Sequence, residues 1–405
     1  IAVSESESAA SVESTVADVP ERYHSLDHLR AVAMFLGIYL HTAIAYMSSE
    51  VPWAIHDPAR SEFFDVTVGA IHLFRMQLFF FIAGFFACMV QRRMGAWPYL
   101  KRRLSRIGIP LLVGMIVVLP PVFVAWEWGE EVAGQESVIG EFSKWPESFD
   151  EIPTGHLWFL EYLLIYYLAV YLFSRPAEKL ERNGFNARAD RTFARLMRSW
   201  WKPLALMSGT FWLLLAGPQV GEPESAGVTI IPTWNGLLYF GIYFLFGWFL
   251  FRQRGLLSEL LRFRSVNIVL LIVGFLAYGA SMEEWLRTEV TSGPVWWIGS
   301  LGAELFCWTA IFLFTGMFLR RFDKPTRWSR YAAESSYWFY IAHLPLVIAL
   351  QAVFFPWNAN AFVKCGTVVL ISTLVLLASY DWLVRYSIVG TVMNGKRLRA
   401  RKEAT

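Results

Sequence analysis

Ten separate apolar runs, each near the length that spans a bilayer, constrain this chain of 405 residues more than any other feature. A helix needs roughly 20 mainly apolar residues to cross about 30 Å of hydrocarbon. Segments 30–48, 66–91, 107–126, 156–174, 203–219, 230–251, 266–282, 296–319, 335–355 and 362–384 come close to that demand. The weakest is 203–219, which opens on Pro203 and contains Gly209 and Gly217. Composition points the same way, with 56% hydrophobic residues and only 17% charged. The 33 Phe, 16 Tyr and 19 Trp carry more apolar surface than one water-soluble core hides. The expected fold is an all-α integral membrane protein of about ten transmembrane helices.

Orientation follows from the basic residues, which concentrate in cytoplasmic loops. Alternate flanks (Arg22 and Arg30, then 92–106, 175–202, 252–264, 320–330 and 385–402) hold 31 of the 36 Lys and Arg. The opposite loops are acidic, above all 127–155 with Glu127, Glu130, Glu131, Glu136 and Glu141. Both termini are therefore expected in the cytoplasm, as an even number of crossings requires. Residues 1–25 read as a disordered tail without the apolar stretch of a signal peptide, and 26–385 as the membrane domain. Residues 386–405 read as a basic tail, whose Lys396–Lys402 run suits lipid headgroups.

Several classes drop out. Cys88, Cys307 and Cys365 all lie in apolar runs, which excludes a disulfide scaffold and cysteine-rich metal modules. No Walker lysine loop or Gly-rich dinucleotide fingerprint occurs, and no metal ligand set is expected. The net charge of +3 averages two oppositely charged faces, so nucleic acid is not an expected partner.

Ionisable groups inside spans are costly and usually face a bundle interior. Arg30 and His41 are eleven residues apart, which brings them within about 20° of one helix face with a rise of about 16 Å. His41 then sits near mid-membrane above an arginine at the cytoplasmic mouth, with Asp27 three residues before Arg30 to orient it. His72 and Arg75 share a face of the second helix, Arg75 about 14 Å deep. Glu161, Glu304 and His343 lie about 8, 13 and 12 Å in, and His156 opens the fourth helix beside Trp158. Each has a plainer reading. A membrane histidine also serves to bond a neighbouring helix, Arg75 and Glu304 could form a buried ion pair, and His156 could be an interfacial cap. Arg30 with His41 favours chemistry most, because imidazole suits proton transfer near neutrality. Arg102, Arg103 and Arg106 cluster at the mouth of the third helix, where guanidiniums fit polyphosphates, although positive-inside bias alone also explains them.

These same residues carry a resemblance. Leu26-Asp27-His28-Leu29-Arg30 followed by ten residues and His41 resembles the Arg-x10-His signature of the membrane acyltransferase-3 family. Arg103-Leu104-Ser105-Arg106 resembles its Arg-x-x-Arg motif, and Phe74-Arg75-Met76-Gln77 opens its second-helix block. His156-Leu157-Trp158-Phe159-Leu160 and Ser336 to Pro345 resemble two more blocks, so the likeness runs from about residue 22 to 350. The wording is most similar to the periplasmic glucan succinyltransferase branch. The resemblance implies a multi-pass enzyme of the inner membrane with no permanently bound cofactor. Acyl-CoA would be its cytoplasmic co-substrate, and a hydroxyl of an extracytoplasmic glycan would receive a succinyl or acetyl group. His41 would then be the general base, Arg75 or His343 would stabilise the oxyanion, and Arg30 would orient the donor arm or hold the imidazole neutral. A covalent acyl-histidine is an alternative route. Arg102, Arg103 and Arg106 would bind the donor. His72, His156, Trp158, Glu161 and Glu304 would lie on the acceptor side. The rivals are a transporter or flippase without acyl transfer, against which the lack of internal repeats speaks, and a structural partner of a glycan synthase.

Overall fold

A computed structural model describes residues 23–135, 152–182, 185–217, 220–223, 230–288, 292–324 and 326–394. The tail before residue 23, most of the acidic loop and the basic run 396–402 lie outside the described residues. The rest is helical, with no strand among the described residues. The helices are α1 (His24–Ala43), α2 (Glu62–Met94), α3 (Ala96–Val117), α4 (Leu119–Ala133), α5 (Trp158–Arg182), α6 (Phe185–Met197) and α7 (Lys202–Leu214). They continue as α8 (Trp234–Arg252), α9 (Arg264–Thr288), α10 (Pro294–Arg321), α11 (Arg327–Phe354), α12 (Ala361–Ser379) and α13 (Ile388–Asn394).

Caps mark several starts. Ser61 accepts from the Phe63 amide, Thr233 from Gly236 and Asn360 from Val363, each satisfying an amide that has no intrahelical partner. Eight helices are long and apolar enough to cross a membrane: α1, α2, α5, α8, α9, α10, α11 and α12. Their outward stripes are undisguised: on α9, Ile268, Val269, Ile272, Val273 and Leu276 are 47–66% exposed. Such a strip belongs in lipid, because water-soluble surfaces rarely carry so large an apolar patch.

The number differs from the expected ten in two places. The third segment is not one straight helix over 107–126. It starts at Ala96, passes through a π turn at Leu104–Gly108, and bends by 41° between α3 and α4, a pair that together makes a ninth candidate span. Pro120 and Pro121 follow the bend, where proline cannot continue the backbone ladder. The segment 203–219 is the other: α7 has 13 residues, about 20 Å, too short for the hydrocarbon. Its two ends nevertheless lie at different levels. The buried Lys202 ammonium donates to the Glu259 carbonyl (2.8 Å), beyond the C-terminal end of α8. The chain that leaves α7 reaches Glu222, which pairs with His72 in the first half of α2 at 2.7 Å.

The loops are also more helical than their composition suggests. Basic segment 92–106 contains the end of α2 and the start of α3, and Glu127, Glu130 and Glu131 sit in α4. Parallel helices α2 and α8 touch backbone to backbone, because a Cβ at Gly84 or Gly247 would overlap the facing Phe244 or Phe81 carbonyl. α9 pairs with α10, and α11 packs between α1 and α4. This last arrangement encloses the candidate site.

Candidate active site

α1 presents Arg30, Gly37 and His41 at helical spacing on one face. Gly37 lacks a side chain where the Arg75 guanidinium of α2 lies against the backbone, and a Cβ there would overlap Nη1. Arg75 therefore sits one turn from His41, with its Nε buried and unpartnered. It forms no pair with Glu304.

His343 of α11 faces His41 with ring centroids 5.2 Å apart, and His156, just before α5, lies 5.6 Å from His343. His343 Nδ1 lies 2.9 Å from the Tyr340 carbonyl. A carbonyl only accepts, so the proton is on Nδ1 and Nε2 carries a lone pair. By the same reasoning His156 donates from Nε2 to the Ile341 carbonyl (3.0 Å), and its Nδ1 is bare. His41 Nδ1, His156 Nδ1 and His343 Nε2 are all buried without a hydrogen-bond partner. His41, Arg75 and His156 keep partial exposure, so the cluster lines a space and is not sealed in packing. Tyr340 closes its lower edge, donating to the His156 carbonyl at 2.5 Å.

A second group of residues lies toward the Arg30 end. Arg30 pairs with Asp27 (3.3 Å) and donates to the Ala333 carbonyl (3.4 Å). It does not touch His41. Arg103 is half-buried, with its guanidinium 4.6 Å from the centre of the Tyr167 ring and donating to the Phe86 carbonyl. Aromatic packing, not solvent, therefore holds this arginine. Arg106 stands in the π turn, where its carbonyl accepts from Tyr337 at 2.9 Å, and Arg102 is exposed. Ala333, Tyr337 and Tyr340 climb one face of α11 from Arg30 to the histidines, about 15 Å along the helix.

The acceptor-side candidates scatter. Only His156 joins the cluster. His72 is half-exposed and tied to Glu222, and Trp158 packs on Phe80, Tyr162 and Phe240. Glu161 is buried with both carboxylate oxygens unpartnered. Glu304 is fully buried elsewhere, accepting from Tyr239 (2.6 Å), Tyr243 (2.7 Å) and Thr210. It joins the short α7 to α8 and α10.

Sequence reasoning missed three site residues. Gly37 makes room for Arg75. Trp53, in the loop after α1, stacks on His41 at 5.6 Å and 16°. Gln351 of α11 accepts from Trp53 Nε1 (3.0 Å) and donates to the His41 and Thr42 carbonyls (3.0 Å each). Only Gln351 could have been flagged, as a lone amide in an apolar span. Among the described residues no group of three or more His, Cys, Asp or Glu is arranged to hold a metal ion.

The family model for the acyltransferase domain matches residues 23–380, which include every helix of this site. The chain belongs to the acyltransferase-3 family. It is also similar to the glucans biosynthesis protein C of Escherichia coli K12, with 31% identity over 172 residues. The proteins of that name from the O1:K1 and O139:H28 strains match equally. Each match covers 40% of this chain and 42% of the relative, so the chain spans less than half the length of these curated relatives. An acyltransferase-3 domain thus surrounds a histidine–arginine cluster inside a multi-pass helical bundle.

Proposed function

We propose that this acyltransferase-3 protein moves a succinyl or acetyl group from cytoplasmic acyl-CoA to a hydroxyl of an extracytoplasmic glycan. The observation that carries the reading is the convergence of His41, His156 and His343 beside the unpaired Nε of Arg75 within the bundle. A buried guanidinium and bare imidazole nitrogens are costly to leave unpaired, which argues for a polar ligand between them. The likeness to glucans biosynthesis protein C favours a glucan as acceptor.

In this reading the acceptor oxygen attacks the thioester carbonyl while His41 takes its proton. Arg75 donates to the oxyanion, a role neutral His343 does not fill because its one N–H is committed to the Tyr340 carbonyl. Collapse breaks the C–S bond, and the departing thiolate takes the proton from His41, leaving an O-acyl ester and free CoA. His343 Nε2, a bare acceptor, takes a hydrogen bond from a second hydroxyl of the glycan beside the attacking one. Arg106 and Arg102 hold the donor phosphates, while Arg103 and Arg30 line the way in. Both ends of the chain are cytoplasmic, with residues 44–61 on the far side and α7 with its continuation to Glu222 completing the tenth crossing.

The test is thiol release by the purified protein from succinyl-CoA and acetyl-CoA, with and without periplasmic glucan, and mass spectrometry of the glucan afterwards. Glucan-dependent release with a matching mass increase on the glucan supports the reading. Transport of either compound without thiol release refutes it and favours the flippase.

A further inference from the structure

The indole of Trp53 has no part in the transfer as described, yet a hydrogen bond, two ring contacts and a pinned loop place it. It lies nearly parallel to His41, 16° between planes and 5.6 Å between centroids. Its Nε1–H is held by Gln351, which is 1% exposed and which uses its amide hydrogens on the carbonyls of His41 and Thr42. One side chain thus couples the indole to the backbone of the very residue it stacks on. Trp126 backs the indole edge-on at 5.2 Å and is anchored in turn by Glu130 (2.9 Å). The loop itself is pinned at its far end. Asp57 and Lys364 form a 2.7 Å ion pair with both side chains 3% exposed, and the Asp57 and Ser61 amides bond the Ala45 and Tyr46 carbonyls.

Packing alone does not call for this. A ring held face-on to an imidazole presents the negative face of its π system, which attracts a cation within about 6 Å of the centroid more strongly than it attracts the neutral ring. We propose that Trp53, oriented by Gln351, is a positioning residue that stabilises His41 in its cationic form as it takes the acceptor proton. The interaction is stronger in the transition state than in the ground state, so it raises kcat and leaves KM for acyl-CoA unchanged. The inference rests on His41 being the base.

Site-specific replacement of Trp53 by mono-, di- and trifluorotryptophan in the full-length protein tests it, because fluorine drains the ring face while nearly preserving its size. The expected result is a stepwise fall of kcat with fluorine number, totalling about tenfold, at constant KM for succinyl-CoA and unchanged thermal stability. Trp53→Phe should keep more turnover than Trp53→Leu, and Gln351→Met should lower kcat in the same manner as fluorination. A kcat indifferent to fluorine number overturns the proposal and leaves Trp53 a packing residue. His41→Ala, assayed in parallel, separates the two levels. If it is inactive while fluorination has no effect, only the role of Trp53 is lost; if it turns over normally, the reading of His41 as base falls as well.

Discussion

Gly37→Ala adds a single methyl group, and its effect can be worked out from the packing. A Cβ on Gly37 would overlap Arg75 Nη1 and stand 3.4 Å from Cζ, so the guanidinium must move. It lies at the end of a flexible side chain, and a retreat of about 1 Å relieves the overlap with no change of backbone. That displacement costs little stability. Alanine also favours a helix interior over glycine by ~1 kcal/mol, so the melting temperature should hold or rise. Catalysis should respond the other way. A group misplaced by about 1 Å can cost ~10²-fold in rate, near 2.7 kcal/mol of transition-state stabilisation. The assay is acyl-CoA-dependent transfer to glucan beside a thermal melt in the same detergent. In an Arg75→Ala background the same substitution should cost nothing further, because the two changes act on one group. Normal turnover in Gly37→Ala, or an additive loss in the double variant, would refute the idea that Gly37 exists to seat Arg75 at the reacting carbonyl.

Other outcomes follow from neighbouring residues. His41→Ala should lose about 10²–10⁴-fold in transfer, and His41→Gln should be as inactive, since it keeps size but not proton transfer; substantial turnover in the Gln variant would reduce His41 to a positioning group. Arg106→Gln should raise KM for acyl-CoA and flatten its salt dependence with the fold intact, whereas Arg103→Gln should also lower the melting temperature, because it breaks the packing on Tyr167. Glu304→Leu should destabilise by ~3 kcal/mol or more in a denaturation assay, as three hydroxyl donors lose a common acceptor; a neutral result would contradict its assignment to the scaffold. For topology, an impermeant thiol reagent should label Glu50→Cys from outside and reach Lys324→Cys only after permeabilisation, the native cysteines all being buried; the opposite pattern inverts the orientation.

What the sequence determined by itself is whatever depends on a single helix and its solvent. Runs of apolar residues had to become lipid-spanning helices, because an unsatisfied backbone is intolerable in hydrocarbon. The 3.6-residue period put Arg30 and His41 on one face of α1, and Gly37 with them. The same local logic did not reach where the helix stops in 203–219 or where it bends in the third segment, because hydropathy records enough apolar residues but not the helix ends. α7 ends after 13 residues, and its place is secured by Thr210 on Glu304, a partner 94 positions away. The ion pair of Arg75 with Glu304 failed for a related reason: depth along a helix says nothing about azimuth relative to another helix. Only tertiary packing decided that His41, His156 and His343 converge, across 115 and 187 residues of chain. The same packing folded Trp53 back from a loop to lie on His41, and chose Gln351 to hold it there. Periodicity fixes which residues share a face, but which faces meet depends on close contacts such as Gly84 and Gly247 against facing carbonyls, and those are properties of pairs of helices.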